Sequence, residues 1–334
     1  MCIVVVMVDM NKATIKVGDA IYGIRSLPEA SVRTCVTSPP YWGLRDYGND
    51  GQLGLEATPQ EFVENLCKIF DEVWRVLADD GTVWVNLGDS YFPHGGTRGN
   101  KTPAGDSLRG RDNEYQPAPK LSPGDSNLKQ KDLVGIPWRF AFAMQERGWY
   151  LRQDIIWAKP NPMPESVTDR CTKSHEYIFL FSKQPRYFFD SAAIKEPLAE
   201  SSIGRLQQDI DNQVGSERAN AGGKTNGTMK AHGDIEGGRN KRSVWTVTTK
   251  PYKEAHFAVY PVELIEPCIK AGSAKGDTVL DPFSGSGTTG EVALKLGRNY
   301  VGCELNPDYA KLSERRITEA LGMFADVEVK DAGL

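Results

Sequence analysis

Residues 279–290 read Val279-Leu280-Asp281-Pro282-Phe283-Ser284-Gly285-Ser286-Gly287-Thr288-Thr289-Gly290. An apolar run typical of a buried strand leads there into a loop whose glycines are spaced Gly-x-Gly-x-x-Gly. Glycine lets the backbone turn tightly and pass close to a bound small molecule, so the stretch predicts an α/β fold with a ligand-binding loop after a strand. Glu304 follows about one strand later, where dinucleotide-binding folds place the acidic side chain that binds ribose hydroxyls. The spacing of these glycines alone is also compatible with a nicotinamide-dependent dehydrogenase.

Strand-like and helix-like segments alternate along the remaining chain, which is the pattern of a mostly parallel sheet covered by helices on both faces. One helix is predicted to begin at the capping box Thr58-Pro59-Gln60-Glu61 and to be closed by Asp79-Asp80-Gly81. The other predicted elements are strands at 31–37, 82–87, 151–157, 177–182 and 300–304, and helices at 137–147, 262–271, 291–296 and 306–321. With 334 residues, 40% of them apolar, the chain can bury a substantial core.

A second motif, Thr37-Ser38-Pro39-Pro40-Tyr41, follows the predicted strand 31–37. Together with residues 42–48 it resembles the catalytic motif of DNA amino-methyltransferases, which methylate exocyclic nitrogens of cytosine or adenine. Asp281-Pro282-Phe283 and the glycines that follow resemble the S-adenosyl-L-methionine loop of the same enzymes. In a dehydrogenase these three residues would put a side chain where the pyrophosphate binds, so they argue against that alternative. Residues 156–166, 175–181 and 256–261 are similar to further family segments. The catalytic motif precedes the cofactor loop, which is the order found in the beta group of the family.

The resemblance implies an α/β fold with a doubly wound, mostly parallel sheet of the S-adenosyl-L-methionine-dependent methyltransferase type. It also implies an inserted target-recognition region, for which we predict residues 191–253. Residues 10–190 would form the catalytic half of the methyltransferase domain, including a mobile insert at 93–131. Residues 254–325 would form its cofactor-binding half.

An exocyclic amine is a poor nucleophile, because its lone pair is delocalised into the ring. The catalytic motif offers acceptors that can prepare such an amine for attack. The Ser38 hydroxyl can accept one amine hydrogen, and the Pro39 carbonyl, held rigidly ahead of Pro40, can accept the other. Tyr41 offers a face for an extruded base. Serine at the first position resembles the N4-cytosine members, whereas N6-adenine members usually carry Asp-Pro-Pro-Tyr. We therefore predict N4-cytosine methylation and keep N6-adenine methylation as the alternative.

The resemblance also assigns residues to S-adenosyl-L-methionine. They are Asp19, Thr37, Asp281, Pro282, Phe283, Ser284, Gly285, Ser286, Gly287, Thr288 and Glu304. Direct methyl transfer requires no covalent intermediate, and no metal site is predicted, because the six cysteines form no Cys-x-x-Cys pair. A cytosine-C5 enzyme needs a nucleophilic Pro-Cys cysteine, and Pro267-Cys268 lies in an amphipathic helix pattern where the cysteine is predicted to be core.

The net charge of −4 argues against a nonspecific nucleic-acid binder, since affinity for phosphates requires clustered cations. Basic residues do cluster between 218 and 253, although a solvated loop fits that composition equally well. The candidate DNA-binding residues are Arg45, Arg239, Lys241 and Arg242.

Double-stranded DNA is the predicted partner, and a cognate restriction endonuclease is a candidate second one. The chain is expected to act as a monomer or homodimer. The apolar opening at 1–8 is too short to cross a bilayer, so we predict a cytoplasmic protein that meets the nucleoid through DNA, in the reducing compartment that fits unpaired cysteines.

Overall fold

The computed structural model describes residues 11–44, 48–49, 51–92, 122, 124, 127–200, 203, 238–250, 259–322 and 326–333. Arg45, most of the predicted mobile insert 93–131 and much of the predicted target-recognition region lie outside these ranges, so those predictions stay predictions. The chain divides into two compact units, Met1–Phe189 with Ser243–Leu334, and Asp190–Arg242.

Nine strands of the described residues form one sheet in the larger unit. They are β1 (Lys12–Val17), β2 (Val32–Thr37), β3 (Leu77–Leu87), β4 (Tyr150–Ala158), β5 (His175–Ser182), β6 (Val244–Thr246), β7 (Thr278–Asp281), β8 (Asn299–Glu304) and β9 (Asp326–Asp331). Their order is β6-β4-β5-β3-β2-β7-β8-β1-β9. Strand β5 runs antiparallel to its neighbours β3 and β4, and the other neighbouring pairs are parallel. The predicted mostly parallel α/β sheet is therefore confirmed.

Helices cover both faces of this sheet. They are α1 (Ala20–Arg25), α2 (Pro59–Val76), α3 (Ile136–Glu146), α4 (Val262–Gly272), α5 (Thr288–Lys295) and α6 (Pro307–Leu321). Alternation along β2 separates the faces: Cys35 belongs to the apolar core built with α2, whereas Thr34 faces α4. The approach there is close, because a Cβ on Gly272 would lie 2.6 Å from Thr34 Oγ1. This arrangement confirms the doubly wound architecture.

Helix α2 begins where its capping box predicts but ends earlier. The Thr58 side chain accepts a hydrogen bond from the Glu61 backbone N–H at 3.2 Å, and Pro59 occupies the first turn. The helix stops at Val76, and β3 starts at the next residue. Val32 pairs with Leu77 but Thr34 pairs with Thr82, so residues 78–81 form a bulge in β3. The prediction that Asp79-Asp80-Gly81 closes the helix is wrong, because the backbone is already extended at Leu77, where it pairs with Val32 of β2.

Three strands had no prediction of their own. Strands β1 and β9 are half polar, and β9 is completed only by its parallel pairing with β1. Strand β6 is a three-residue element that pairs with β4, Ile156 opposite Val244. It lies inside the predicted target-recognition range 191–253 but belongs to the large sheet, so the smaller unit ends at Arg242 instead.

The smaller unit is described only in part. A 3₁₀ turn at Ala192–Ile194 is fixed by the Asp190 carboxylate, which accepts a hydrogen bond from the Ala193 N–H at 3.0 Å. Glu196 and Arg239 exchange two backbone hydrogen bonds of 2.9 Å across an isolated antiparallel bridge.

Neither a metal site nor a membrane-spanning helix is found in the described part of the chain. No group of three acidic, histidine or cysteine side chains could hold an ion there, and none of the helices is long and apolar enough to cross a bilayer. Cys268, weighed as a nucleophile, is buried within α4, with 1% of its surface exposed. The prediction that this cysteine is core is confirmed.

Candidate active site

The carboxyl ends of five neighbouring strands meet at one edge of the sheet. In order these are β3, β2, β7, β8 and β1, all parallel. The chain leaves β2 through α2 towards β3, and it leaves β7 through α5 in the opposite direction towards β8. The crevice between β2 and β7 is therefore the topological switch point, where open α/β sheets bind their ligands. Both sequence motifs begin there.

A buried hydrogen bond joins the two motifs directly. Thr37, the residue before Ser38, donates its hydroxyl hydrogen to Asp281 Oδ1 at 2.5 Å. Asp281 has none of its surface exposed. Its carboxylate also accepts hydrogen bonds from the Phe283 N–H at 3.0 Å, Thr289 Oγ1 at 2.7 Å and the Tyr260 hydroxyl at 3.1 Å. Burial raises the pKa of Asp281, and these hydrogen bonds act against that rise. Both carboxylate oxygens are thus engaged inside the protein, where they fix the loop to β2.

Two glycines of the cofactor loop, Gly285 and Gly287, differ in the space around their Cα atoms. Gly285 and Gly287 have φ angles of +52° and +79°, which favour glycine. A Cβ on Gly287 would overlap Ser313 Oγ, so this position is also closed by packing. A Cβ on Gly285 would meet nothing nearer than the Phe283 carbonyl oxygen at 3.9 Å. The backbone at Gly285 is therefore open to a ligand.

The predicted cofactor residues separate into an outer and an inner set. Phe283, Gly285 and Glu304 are half-buried, whereas Pro282, Ser284, Ser286, Gly287 and Thr288 are buried together with Thr37 and Asp281. The inner hydroxyls have protein partners. Tyr300 donates to Ser284 Oγ at 2.8 Å, and Arg316 Nη1 donates to Ser286 Oγ at 3.1 Å and Thr288 Oγ1 at 2.8 Å. We infer that the inner set shapes the loop and that the outer set faces a ligand.

Glu304 places a carboxylate beside the open glycine. Its Oε2 accepts the Gly285 N–H at 2.7 Å, and its Oε1 accepts the Asn306 N–H at 2.9 Å. Burial raises the pKa of Glu304 to about 6, partly offset by these N–H groups. Each oxygen retains a further lone pair, so the carboxylate can still accept ribose hydroxyls. An open glycine backbone, an aromatic side chain and this carboxylate together fit the adenosine part of S-adenosyl-L-methionine.

Asp19 lies at the end of the adjacent strand β1. Its Oδ1 caps α1 by accepting hydrogen bonds from the Ile21 N–H at 2.8 Å and the Tyr22 N–H at 3.3 Å. The preceding Gly18 N–H donates to the Glu304 carbonyl oxygen at 2.9 Å, which ties this turn to the predicted ribose site. Asp19 thus has a structural role beside the site, and its contact with the cofactor stays a prediction.

The catalytic motif rests on polar side chains from β3 and β5. Pro39 is buried, and Ser38, Pro40 and Tyr41 are half-buried. Tyr41 donates its hydroxyl hydrogen to Glu176 Oε2 at 2.7 Å, and its ring lies against Gly88, where a Cβ would come within 2.5 Å of Tyr41 Cε2. Burial, together with the neighbouring Glu176 charge, raises the pKa of Tyr41 well above its usual range. The ring is therefore held in one orientation as a neutral phenol.

Sequence reasoning missed several residues that organise this site. They are Asn86, Lys159, Glu176, Tyr260 and Thr289. Each of them lies in or next to a segment that the family resemblance includes, or at the end of a predicted strand. Asn86, Lys159 and Glu176 come together only through pairing of strands across the sheet.

The predicted DNA-binding residues of the smaller unit gather around one carboxylate. Arg239 Nε lies 3.4 Å from Glu196 Oε2, and Lys241 Nζ lies 3.3 Å from Glu196 Oε1. Arg242 is exposed next to them in sequence. Among the described residues, these two cations therefore pair with the same acidic side chain.

Comparisons with known proteins identify the family of the chain. The N6/N4 DNA methylase family model matches residues 32–315. The type II methyltransferase M.Cfr9I of Citrobacter freundii is 46% identical over 312 residues, covering 92% of this chain and 89% of that protein. M.SmaI of Serratia marcescens is 44% identical over 309 residues, covering 92% of each chain.

Two solved structures share the fold. The cytosine-N4-specific PvuII DNA methyltransferase has a TM-score of 0.59 at 19% identity, covering 97% of this chain and 96% of its own. A putative DNA modification methylase from Thermus thermophilus, solved with S-adenosyl-L-methionine, has a TM-score of 0.58 at 23% identity, covering 96% and 100%. With the family model spanning both motifs and all the site strands from β2 to β8, the chain belongs to the N6/N4 family of DNA methylases.

Proposed function

We propose that this DNA methyltransferase transfers a methyl group from S-adenosyl-L-methionine to the exocyclic N4 of cytosine in duplex DNA, after the base is extruded from the helix. The observation that carries the proposal is the Thr37 to Asp281 hydrogen bond of 2.5 Å. It fixes the residue before Ser38 to the first residue of the cofactor loop, so an amine at Ser38 would lie next to a cofactor on that loop.

Ser38 and Pro39 would prepare the amine for attack. The nitrogen must leave the plane of its ring before its lone pair becomes available. Acceptors aimed at both amine hydrogens favour that geometry, and they cost no reorganisation when they are already fixed. Ser38 Oγ is one acceptor and the Pro39 carbonyl oxygen is the other. The ring of Tyr41, fixed against Gly88, supplies a stacking surface for the extruded base.

Phe283, Gly285 and Glu304 would hold the cofactor, with Asp19 at the end of the adjacent strand. When bound, S-adenosyl-L-methionine supplies a methyl group on a positively charged sulfur, which makes that carbon electrophilic. The buried set, Thr37, Asp281, Pro282, Ser284, Ser286, Gly287 and Thr288, maintains the shape of the loop. No protein nucleophile and no metal ion has a part in this scheme.

Support for cytosine over adenine comes from the first residue of the catalytic motif. Ser38 resembles the serine of N4-cytosine members, and a cytosine-N4-specific enzyme is among the proteins that share this fold. Adenine N6 stays the alternative within the same family.

Nucleoside analysis of methylated DNA tests the choice of base. Plasmid DNA from cells expressing the protein is digested to nucleosides and separated by mass spectrometry, beside DNA from cells expressing a Ser38→Ala variant. We expect N4-methyldeoxycytidine in the first sample only. N6-methyldeoxyadenosine in its place would overturn the cytosine proposal and leave the family assignment intact.

The affinity for S-adenosyl-L-methionine should fall in acid because of Glu304. The ionised carboxylate is the better acceptor for ribose hydroxyls, and its pKa is about 6. Protonation should therefore weaken binding as the pH falls through about 6, with an apparent Kd about tenfold higher near pH 5 than near pH 7 if only the ionised form binds. Isothermal calorimetry across this range measures the change.

Glu304→Gln is the matched control, because it keeps the side-chain size and removes the titration. Its binding should be weaker near neutral pH and nearly independent of pH. A wild-type Kd that stays constant from pH 7 to pH 5 would show that Glu304 does not contact the cofactor.

The smaller unit, 190–242, is our candidate for reading the DNA sequence. Arg239, Lys241 and Arg242 would contact phosphates from it, and Arg45 would do so near the catalytic motif. Phosphate contacts set affinity and register without carrying sequence information, so the bases must be read by other side chains. A cognate restriction endonuclease fits a chain whose relatives are type II methyltransferases.

A further inference from the structure

Glu176 is the centre of a polar network beneath the catalytic motif. Its Oε2 accepts hydrogen bonds from the Tyr41 hydroxyl at 2.7 Å and from Asn86 Nδ2 at 3.2 Å. Its Oε1 pairs with the ammonium group of Lys159, which also lies 4.1 Å from the centre of the Trp157 ring. The Lys159 and Glu176 side chains are only 17% and 15% exposed. The pair is shielded, and every partner of the Glu176 carboxylate named here is a donor.

The orientation of the Asn86 amide follows from these contacts. Asn86 is 4% exposed, and its Nδ2 lies 3.2 Å from Glu176 Oε2 and 3.1 Å from the Tyr177 carbonyl oxygen. Both of those atoms can only accept hydrogen bonds, so the NH₂ end must face them. The carbonyl end, Oδ1, then points towards Ser38 Oγ at 3.4 Å.

This orientation offers an acceptor to the single hydroxyl hydrogen of Ser38. Asn86 Oδ1 lies 3.4 Å from Ser38 Oγ, and the Tyr41 hydroxyl oxygen is a second acceptor; a hydrogen donated to either leaves the lone pairs of Ser38 Oγ free for an incoming amine hydrogen. Tyr41 also lies 3.3 Å from Asn86 Oδ1, but its hydrogen has the shorter contact with Glu176. Asn86 Oδ1 is therefore available to Ser38.

We propose that Glu176 and Lys159 are positioning residues that set the direction of the Asn86 to Ser38 hydrogen bond, and thereby make Ser38 an acceptor for the amine. The inference rests on the proposed role of Ser38. It adds two residues to the reaction that act through Asn86 without touching the substrate.

Replacing Glu176 by glutamine should reverse this direction. Lys159 would keep the amide oxygen of Gln, so the amide NH₂ would face Asn86 and also the Tyr41 hydroxyl, which would accept from it instead of donating. Asn86 would then turn its carbonyl towards Gln and its NH₂ towards Ser38, where the NH₂ would occupy one of the two lone pairs of Ser38 Oγ and Asn86 would no longer accept the hydroxyl hydrogen. The reversed Asn86 would lose its bond to the Tyr177 carbonyl, which limits how completely it turns.

We expect Glu176→Gln to lower the single-turnover methylation rate about tenfold, the cost of about one hydrogen bond at the transition state. The dissociation constants for S-adenosyl-L-methionine and for DNA should stay close to those of the wild type, whereas the thermal midpoint should fall, because Lys159 loses its shielded ionic partner. A fall in rate with unchanged binding separates positioning from a general loss of structure.

Asn86→Asp supplies the decisive second variant. In the wild-type background it sets two carboxylates where Asn86 Nδ2 and Glu176 Oε2 are 3.2 Å apart, so it should slow the reaction. In the Glu176→Gln background the aspartate accepts from Gln and from Ser38, so the original direction returns, although the aspartate oxygen beside the Tyr177 carbonyl receives no hydrogen there. The double variant should therefore be faster than the Asn86→Asp single variant, in which two carboxylates face each other.

A double variant no faster than the Asn86→Asp single variant would overturn the proposal, as would a Glu176→Gln enzyme with the wild-type rate. The outcome does not depend on the choice of base, because cytosine and adenine both present an amine with two hydrogens. If the wild type methylates adenine, the cytosine proposal fails while the rate ratios still test Glu176.

Discussion

Changing Ser38 to alanine is expected to lower the single-turnover rate of methyl transfer by about 10²–10³-fold while DNA binding is retained. The hydroxyl oxygen is an acceptor aimed at the amine, and this interaction strengthens only as the nitrogen becomes tetrahedral. Extruding the base costs a few kcal/mol whether or not transfer follows, and the Tyr41 ring that receives it does not depend on Ser38. The variant should therefore bind and extrude its target without modifying it.

Two measurements on the same protein separate these steps. The fluorescence of 2-aminopurine at the target position reports extrusion, and quenched single-turnover assays report transfer. Ser31→Ala is a matched control, since it removes an exposed hydroxyl that bonds the Pro28 carbonyl oxygen just before the same strand β2 begins. A Ser38→Ala enzyme as fast as this control would mean that the Pro39 carbonyl suffices.

Elements with strong local patterns could be predicted from the sequence. The α2 helix has a capping box and a buried apolar stripe, and the cofactor loop has glycines at positions where φ is positive. The catalytic motif ends a strand because its prolines cannot continue one. These features depend on residues close together in the chain, and both motifs were located for that reason.

Contacts across the sheet could not be predicted in the same way. Asn86 lies opposite Ile178 in the antiparallel pairing of β3 with β5, and this register brings Glu176 to Asn86 and Tyr41. Nothing in the local sequence of either strand specifies that pairing. A polar residue at a strand end therefore becomes part of the site only once its neighbour in space is known.

The contacts of Asp281 could not be predicted from the sequence either, although the residue itself is predicted to belong to the site. The family resemblance assigns it to the cofactor, and the structure places its carboxylate out of contact with solvent. Its partners Thr37 and Tyr260 come from two other segments of the chain, and Thr289 comes from the first turn of α5, eight residues further on. Sequence could identify Asp281 as essential to the loop, but only the fold shows that its contacts are internal.

Replacing Asp281 by alanine should therefore destabilise the protein as well as abolish cofactor binding. The Thr37 hydroxyl and the Phe283 N–H would lose their acceptor in a buried site, and each unsatisfied group costs about 1–3 kcal/mol. Thr289 and Tyr260 can still bond each other, and Thr289 can bond the Val36 carbonyl oxygen. We expect a loss of at least about 2 kcal/mol in the free energy of unfolding, measured by urea denaturation. Calorimetry should detect no binding of S-adenosyl-L-methionine, because the loop is no longer fixed to β2.

Asp277→Ala, at the other end of β7, is the matched control. Asp277 is half-buried, accepts a hydrogen bond from the Ala274 N–H at 2.8 Å and lies 3.5 Å from Arg33 Nε, so its loss should cost less than that of the fully buried Asp281 and leave cofactor binding unchanged. An Asp281→Ala protein that is as stable as this control and binds the cofactor would contradict the structural role of the carboxylate.

Asp281→Asn separates the hydrogen bonds from the charge. Burial raises the folded-state pKa of Asp281 above the unfolded value of about 3.9, so the folded chain binds this proton more tightly than the unfolded chain. The resulting stabilisation is fully present below the unfolded pKa and is lost as the pH rises through the folded pKa. Asparagine keeps an acceptor oxygen and does not titrate, so it should be milder than alanine. Its stability relative to the wild type should improve as the pH rises, because only the wild type must then hold a buried charge.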